Sequence, residues 1–450
     1  MNFEVTNEYL DKLEEDIEAG KVGQHLANLN EMHPADIAEV VDGLSLEAGK
    51  VLIEVIDEDK AADALIELDE DLRSKILEGY SGKEIAEELV ENLDSDDAAD
   101  LINELDADKR REVMNSITDR DQAKDIADLL VYPEDSAGGL MGTELVKVNE
   151  NWKMIQCVKE MRRQAEAVEN VHSIYVVDDE SRLLGTLSLK KLLTTSTRTP
   201  IAEVYTKQVH SVEATEKGED VALLMDKYDL VVVPVVNSIG QLIGRITIDD
   251  VVDLIREEAK EDYNLASGLV EEVEHDDTVW TTTRARLPWL LIGLFGGLAA
   301  ASIIGRFEGE LTALPTMAFF IPLIAAMGGN VGVQSSAIIV QALAGKSDMG
   351  SLGARLLKEL GVGLLNGVIC GALIIGSSLF LGYATDLAIV VAVALVSVIT
   401  VAALVGTFVP LLLNKYKIDP ALATGPFITT TNDILGLFIY FSIGRALLGI

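Results

Sequence analysis

One carboxylate in this chain sits where a charge is most costly. Asp433 falls close to the midpoint of Leu422–Leu448, an apolar segment long enough, at about 1.5 Å per residue, to cross a bilayer. A charge there costs roughly 2.5–3.5 kcal/mol and needs a polar partner, water or an ion. On a helix, Gly425, Thr429, Asn432, Asp433, Gly436 and Tyr440 would share one face. Small residues and hydroxyls around one acid are the expected lining of a hydrated ion path. A packing face with a hydrogen-bonded Asp is the alternative. A second polar run, Gly328 to Ser336, lies in another apolar segment and contains Asn330 and Gln334. Its glycines and amides are expected to loosen that helix, expose backbone or amide oxygens and form a second wall of the passage.

A different chemistry belongs to the acids that precede the membrane part. From Asp249 to Asp277 run Asp249, Asp250, Asp253, Glu257, Glu258, Glu261, Asp262, Glu271, Glu272, Glu274, Asp276 and Asp277. Spacings of three and four let them share helix faces, where they repel unless a cation screens them. Hard divalent ions such as Mg2+ or Ca2+ favour such oxygen ligands. A disordered acidic tether is the alternative. Asp96 and Asp100 likewise lie on one helix face, which on its own is as well explained by solvation.

The elements that must position these groups are legible in outline. Five hydrophobic segments, roughly 287–304, 316–343, 356–381, 387–413 and 422–448, fill the last third of the chain. Beyond Leu287 acids and bases balance, so the net charge of -38 sits on residues 1–286 and argues against nucleic acid as a partner. Arg284, Arg286, Lys346, Arg355, Lys358, Lys415 and Lys417 fall on one side of the spans, against Arg306 and Arg445 on the other. The positive-inside rule then places the amino-terminal part in the cytoplasm and the carboxyl terminus outside. The first residues show neither a basic region nor an apolar run, so no signal peptide is expected. Cys157 and Cys370, and five scattered His, suggest no disulfide framework, zinc or haem. An odd span count disfavours two inverted halves in one chain and places a pore more naturally on a homodimer axis.

Residues 1–132 read as short amphipathic helices stacked into a superhelical domain, with related units at 33–41, 61–66 and 96–102. After a turn-rich break, Ile174–Asp178 with Gly185–Leu192 matches Val233–Asn237 with Gly244–Val251 at an offset of 59. Each copy reads helix, buried strand, turn, strand, helix. Two such copies resemble a pair of CBS domains, a regulatory module that often senses adenosine nucleotides or ions. That module's Gly-x-x-(Ser/Thr)-x-x-Asp string is kept in the second copy as Gly244, Thr247 and Asp250, whereas the first has Gly185 and Ser188 but Lys191. The second copy is therefore the candidate site for a nucleotide such as ATP.

Taken together, Gly328-Gly329-Asn330-x-Gly332-x-Gln334, Asp419-Pro420-Ala421-Leu422 and Asp433, with the Ala137–Met141 junction and the CBS pair, resemble the MgtE family of magnesium channels over nearly the whole chain. The resemblance implies a homodimer in membrane lipid whose second and fifth spans line one pore. Asp433 of each subunit would hold a hydrated Mg2+, and Asp419 would sit near the cytoplasmic mouth. Gly425 stands where relatives can carry Asn. The resemblance also implies that cytosolic Mg2+ shuts the pore by binding Asp96, Asp100, Glu219, Asp229, Asp250, Asp253, Glu258 and Glu261. Lys217 replaces one family-type acid, and Asp226 appears where relatives can have Ala.

The expected architecture is multidomain. An all-α superhelical domain covers 1–133, CBS copies cover 134–200 and 201–262, an acidic connecting helix covers 263–283, and five spans cover 284–450. The expected function is a Mg2+-selective, Mg2+-gated channel. An ion-coupled transporter of Mg2+, Co2+ or Mn2+ on the same scaffold is the alternative. An enzyme is not expected, since the membrane part has no His and no readable nucleophile–base pair.

Overall fold

The computed structural model describes residues 5–165, 168, 170–271, 273, 278–345 and 351–449. Glu272, Glu274, Asp276 and Asp277 of the acidic run lie outside the described residues. The chain divides into two compact units, Met1–Arg256 and Glu257–Ile450.

The first unit opens with the short helices expected from the periodic apolar residues. Pro34 starts Pro34–Asp42 as its first helical residue, where a missing N–H costs nothing. That helix buries Ile37, Val40 and Val41, and Ser95–Glu104 buries Ala98, Leu101 and Ile102 in the same core. Two guanidinium groups finish helices that lack a glycine cap. Arg73 donates to the Ile66 carbonyl, and Arg110 Nε donates to the Ile102 carbonyl at 3.1 Å.

Two three-stranded sheets follow, β1 Val146–Asn149, β2 Ile174–Val177 and β3 Leu183–Leu187, then β4 Val212–Glu213, β5 Val232–Val236 and β6 Leu242–Thr247. In each the first strand is parallel and the last antiparallel to the middle one. The repeat extends to register: Ile174 pairs with Leu187 as Val233 pairs with Ile246, and the bulges at Val176/Val177 and Val235/Val236 also correspond. β1 and β4 each add a strand to the helix, strand, turn, strand, helix unit expected from the repeat. The second copy turns into β5 more abruptly because Asp229 ends its helix in the left-handed region, at φ 51°.

The helix Ile248–Ser267 starts at the end of β6 and is stopped by Gly268, at φ 81°. The stretch 263–283 is thus not a separate helix: its first residues complete Ile248–Ser267, and Val279 already opens the first span.

Among the described residues, five helices are long and apolar enough to cross a membrane: Val279–Arg306, Pro315–Ala344, Leu352–Phe380, Thr385–Lys415 and Pro426–Leu448. The fourth is the hub, burying Leu387, Val391, Leu395, Val398 and Ala402 against its neighbours. The second does not loosen at its glycines, contrary to the sequence expectation. Ile321–Ala344 is one continuous α-helix, because Gly328, Gly329 and Gly332 are buried in helix–helix contacts.

Candidate cation sites

In the first unit three carboxylates from two segments converge. Ligand oxygens of Asp94, Asp96 and Glu144 all lie within 4.8 Å of one another. Asp94 is the N-cap of Ser95–Glu104 and Asp96 is in its first turn, where the helix N-terminus favours negative charge. Glu144 arrives from an extended segment and does the capping itself. Its Oε1 accepts the Ser95 N–H at 3.1 Å, and its Oε2 accepts the Ser95 hydroxyl at 3.1 Å. The Thr143 N–H closes the clasp by donating to Ser95 Oγ at 2.9 Å. Asp96 lies over Gly142, where a Cβ would fall 2.8 Å from its Oδ2.

The charge balance of this cluster is unfavourable without a cation. Burial, and then Asp97, Asp250, Glu144 and Asp94, push the Asp96 carboxyl well above its ordinary value. Burial, Asp250 and Asp100 raise Asp97 to about 7. Burial also raises Asp250, against the opposing hydrogen bonds from the Thr247 N–H and hydroxyl at 2.8 and 2.7 Å. One base moderates the cluster, Arg245, whose guanidinium is 3.8 Å from Asp94 Oδ2. Among the described residues, buried Asp96 Oδ1 has no hydrogen-bond partner. An all-oxygen, carboxylate-rich set with an unsatisfied buried oxygen fits a hard divalent cation such as Mg2+.

The expected acids therefore sort into two groups. Asp96, Asp100 and Asp250 act on one cluster, together with Asp94, Asp97 and Glu144, which sequence reasoning missed. Glu219 and Asp229 sit at opposite ends of Gly218–Tyr228, about 15 Å apart along the helix, and are not brought together. Asp253 is exposed beside Arg256, at 3.4 Å, while Glu258 and Glu261 lie further along the same helix in the second unit.

In the second unit the fifth span begins one residue later than the shared face requires. Gly425 is its N-cap, at φ 62°, and the helix proper is Pro426–Leu448. A Cβ on Gly425 would fall 2.5 Å from the Ala266 carbonyl oxygen, so the end of Ile248–Ser267 rests against the start of this span. Asp419 is tied into the approach, its carboxylate accepting the Ala421 N–H at 2.7 Å. Glycine at 425 thus has a steric reason within this chain.

The predicted single face divides in two. Asn432 is 1% exposed and Tyr440 is fully buried, its hydroxyl donating to the Met317 carbonyl at 2.9 Å. Asn432 fits against Gly332, where a Cβ would stand 1.9 Å from its Nδ2. These residues pack the fifth span onto the second. Thr429 and Asp433 are half-buried instead, both beside Gly329. On the second span Asn330 and Gln334 are exposed, on a stripe that continues to Ile338.

Models of known families match the chain in sequence. The intracellular N domain of MgtE matches residues 32–135, the CBS domain matches 137–197 and 201–257, and the MgtE divalent cation transporter region matches 321–443. The magnesium transporter MgtE of Thermus thermophilus is 38% identical over 330 residues, covering 72% of each chain. The chain belongs to the MgtE family. The magnesium transporter MgtE of Bacillus subtilis is 35% identical over 326 residues, again 72% of each chain. Among solved structures, the cytosolic domain of the Mg2+ channel MgtE in complex with ATP matches with a TM-score of 0.51 and 33% identity, covering 54% of this chain and 99% of that one. The soluble part of a magnesium transporter matches at 0.50 and 27% identity, covering 56% and 98%. The expected fold holds: a helical domain, a CBS pair and five membrane-length helices. Asp96 and Asp100 fall in the MgtE N-domain match, and Asn330, Gln334, Asp419 and Asp433 fall in the transporter-region match.

Proposed function

We propose that this MgtE-family chain is a Mg2+-selective channel for magnesium uptake, closed when cytosolic Mg2+ binds its acidic soluble unit. The observation that carries the reading is the open polar stripe of Asn330 and Gln334 on the second span, next to half-buried Asp433 on the fifth. Many other open positions on the spans are apolar, as at Leu290, Phe295, Leu365 and Val368, and suit lipid, with Asn366 on the third span an exposed amide among them. Amides in hydrocarbon are costly, so the polar stripe needs protein or water in front of it. A second copy across a two-fold axis supplies both and brings two Asp433 carboxylates around one path. Mg2+ dehydrates reluctantly, and carboxylates and amides at that spacing would hold it through its waters.

The soluble unit supports the same dimer. Leu189 and Leu193 are 38% and 83% exposed, and 59 residues on, Ile248 and Val252 are 38% and 37% exposed. Both CBS copies thus present apolar side chains at matching positions, as a surface covered by a second copy would. Mg2+ at Asp94, Asp96 and Glu144 would cancel repulsion and favour the state in which they are close, so the ion shifts a two-state equilibrium. Relatives are named magnesium transporters, and the solved cytosolic domain is that of a Mg2+ channel. ATP is a candidate second ligand, because that domain was solved with ATP. Asp250, the acid of the string kept in the second copy, is already engaged by Thr247.

The coupled-transporter reading is favoured by one observation, a second carboxylate, Glu359, inside the third span. Mg2+ flux into proteoliposomes with no proton or sodium gradient separates the two. A channel passes Mg2+ down its own gradient, and flux that requires a second ion gradient would refute it.

A further inference from the structure

Glu359 directly follows Lys358 near the start of the third span. It lies about 10 Å along Leu352–Phe380 from the helix start. It recurs at every fourth residue with Gly363, Gly367 and Gly371, the ridge that this span buries against the fourth. A Cβ at Gly363 or Gly367 would fall 3.0 Å from Thr400 Cα or 2.9 Å from Val396 Cα, so this ridge is turned into the bundle. Glu359 itself is half-buried and meets the second span, whose Ser335, 5% exposed, donates its hydroxyl to Glu359 Oε1 at 2.6 Å. Ser335 in turn lies about 14 Å from the end of its helix at Ala344.

We infer that Glu359 is a positioning residue of the permeation path, which fixes the rotation of the second span through Ser335. Consecutive helical residues point about 100° apart, so holding Ser335 inward holds Gln334 on the open stripe with Asn330. A hydrogen bond to a carboxylate is among the stronger ones available. The glycines of the second span receive side chains from the fourth and fifth spans, and the directional bond to Glu359 adds a hold from the third. The inference rests on the reading that the second span lines the path, since Glu359 acts on Gln334 and not on the ion.

The test measures Mg2+ uptake into proteoliposomes against Mg2+ concentration, normalised to the reconstituted full-length protein. The variants are Glu359→Ala, Glu359→Gln, Ser335→Ala, the Glu359→Ala/Ser335→Ala double variant, and Asp433→Asn for reference. Glu359→Ala and Ser335→Ala should each lower maximal uptake about three- to tenfold, the worth of one hydrogen bond. The double variant should be no worse than the poorer single one. Glu359→Gln still accepts the hydroxyl and should keep most of the uptake, whatever the proton or sodium gradient. Glu359→Gln as impaired as Glu359→Ala would make the charge itself functional and overturn the inference. Additive losses in the double variant, or normal uptake by Glu359→Ala, would also overturn it. If Glu359→Ala does not accumulate in membranes, Ser335→Ala, which removes one hydroxyl, decides by the same criterion. Normal uptake by Asp433→Asn would instead refute the path reading beneath it.

Discussion

At the residue scale the acid cluster sets a pH dependence whose sign follows from its raised carboxyls. Asp97, at about 7 in the fold against an ordinary 3.8, binds more proton folded than unfolded between those values. Stability therefore falls as pH rises through that window, the reverse of a salt-bridged acid. Thermal unfolding of the metal-free protein in detergent should give a lower midpoint at pH 8 than at pH 5, and millimolar Mg2+ should raise it more at pH 8. Pairing Asp96→Asn with Glu144→Gln removes two of the three converging carboxylates. It should raise the metal-free midpoint and abolish most of the Mg2+-dependent rise, worth about 2.7 kcal/mol at a hundredfold excess over Kd in the parent. An unchanged Mg2+ shift in that variant would remove the cluster from regulation. Asp96 and Asp250 were legible as candidates because they sit in acid-rich helical stretches. Glu144 was not, because it comes from an extended segment 48 residues from Asp96 and meets it only through the Ser95 clasp.

Among the elements, the spans were legible because an apolar run of that length has few other uses, and the CBS copies because their strands repeat at a fixed offset. The glycine run of the second span was misread. Glycine costs about 1 kcal/mol in an isolated helix, but here close packing on Asn432 and Gly406 outweighs it. The fifth span's face was overdrawn for a related reason: spacing alone cannot tell a side chain packed on a neighbouring helix from one facing a path. Gly425 needed coordinates, since its positive φ and the Ala266 carbonyl are both invisible in sequence. Gly425→Ala should cost about 1–3 kcal/mol of local strain and push the end of Ile248–Ser267 away. Limited proteolysis should then cut near Gly268 several-fold faster than in the parent. Equal cleavage rates would show that this contact is not maintained.

For the whole molecule, the proposed path lies between two copies, and neither could form it alone. Leu193→Glu with Val252→Glu places charges on both matching apolar positions of the CBS pair. Each buried aliphatic side chain is worth roughly 1.5–3 kcal/mol, so the double variant should shift the mass in detergent, by light scattering, towards one chain. A mass equal to the parent's would move the dimer surface elsewhere. Asp433 is proposed to stand at the narrow part of a Mg2+-closed channel. Inside-out patch recording of the parent and Asp433→Ala, stepping cytosolic Mg2+ from zero to about 10 mM, tests it most directly. The parent should show single-channel openings that Mg2+ closes, and in the variant openings should vanish or lose selectivity. Unchanged, Mg2+-selective openings in Asp433→Ala would contradict it.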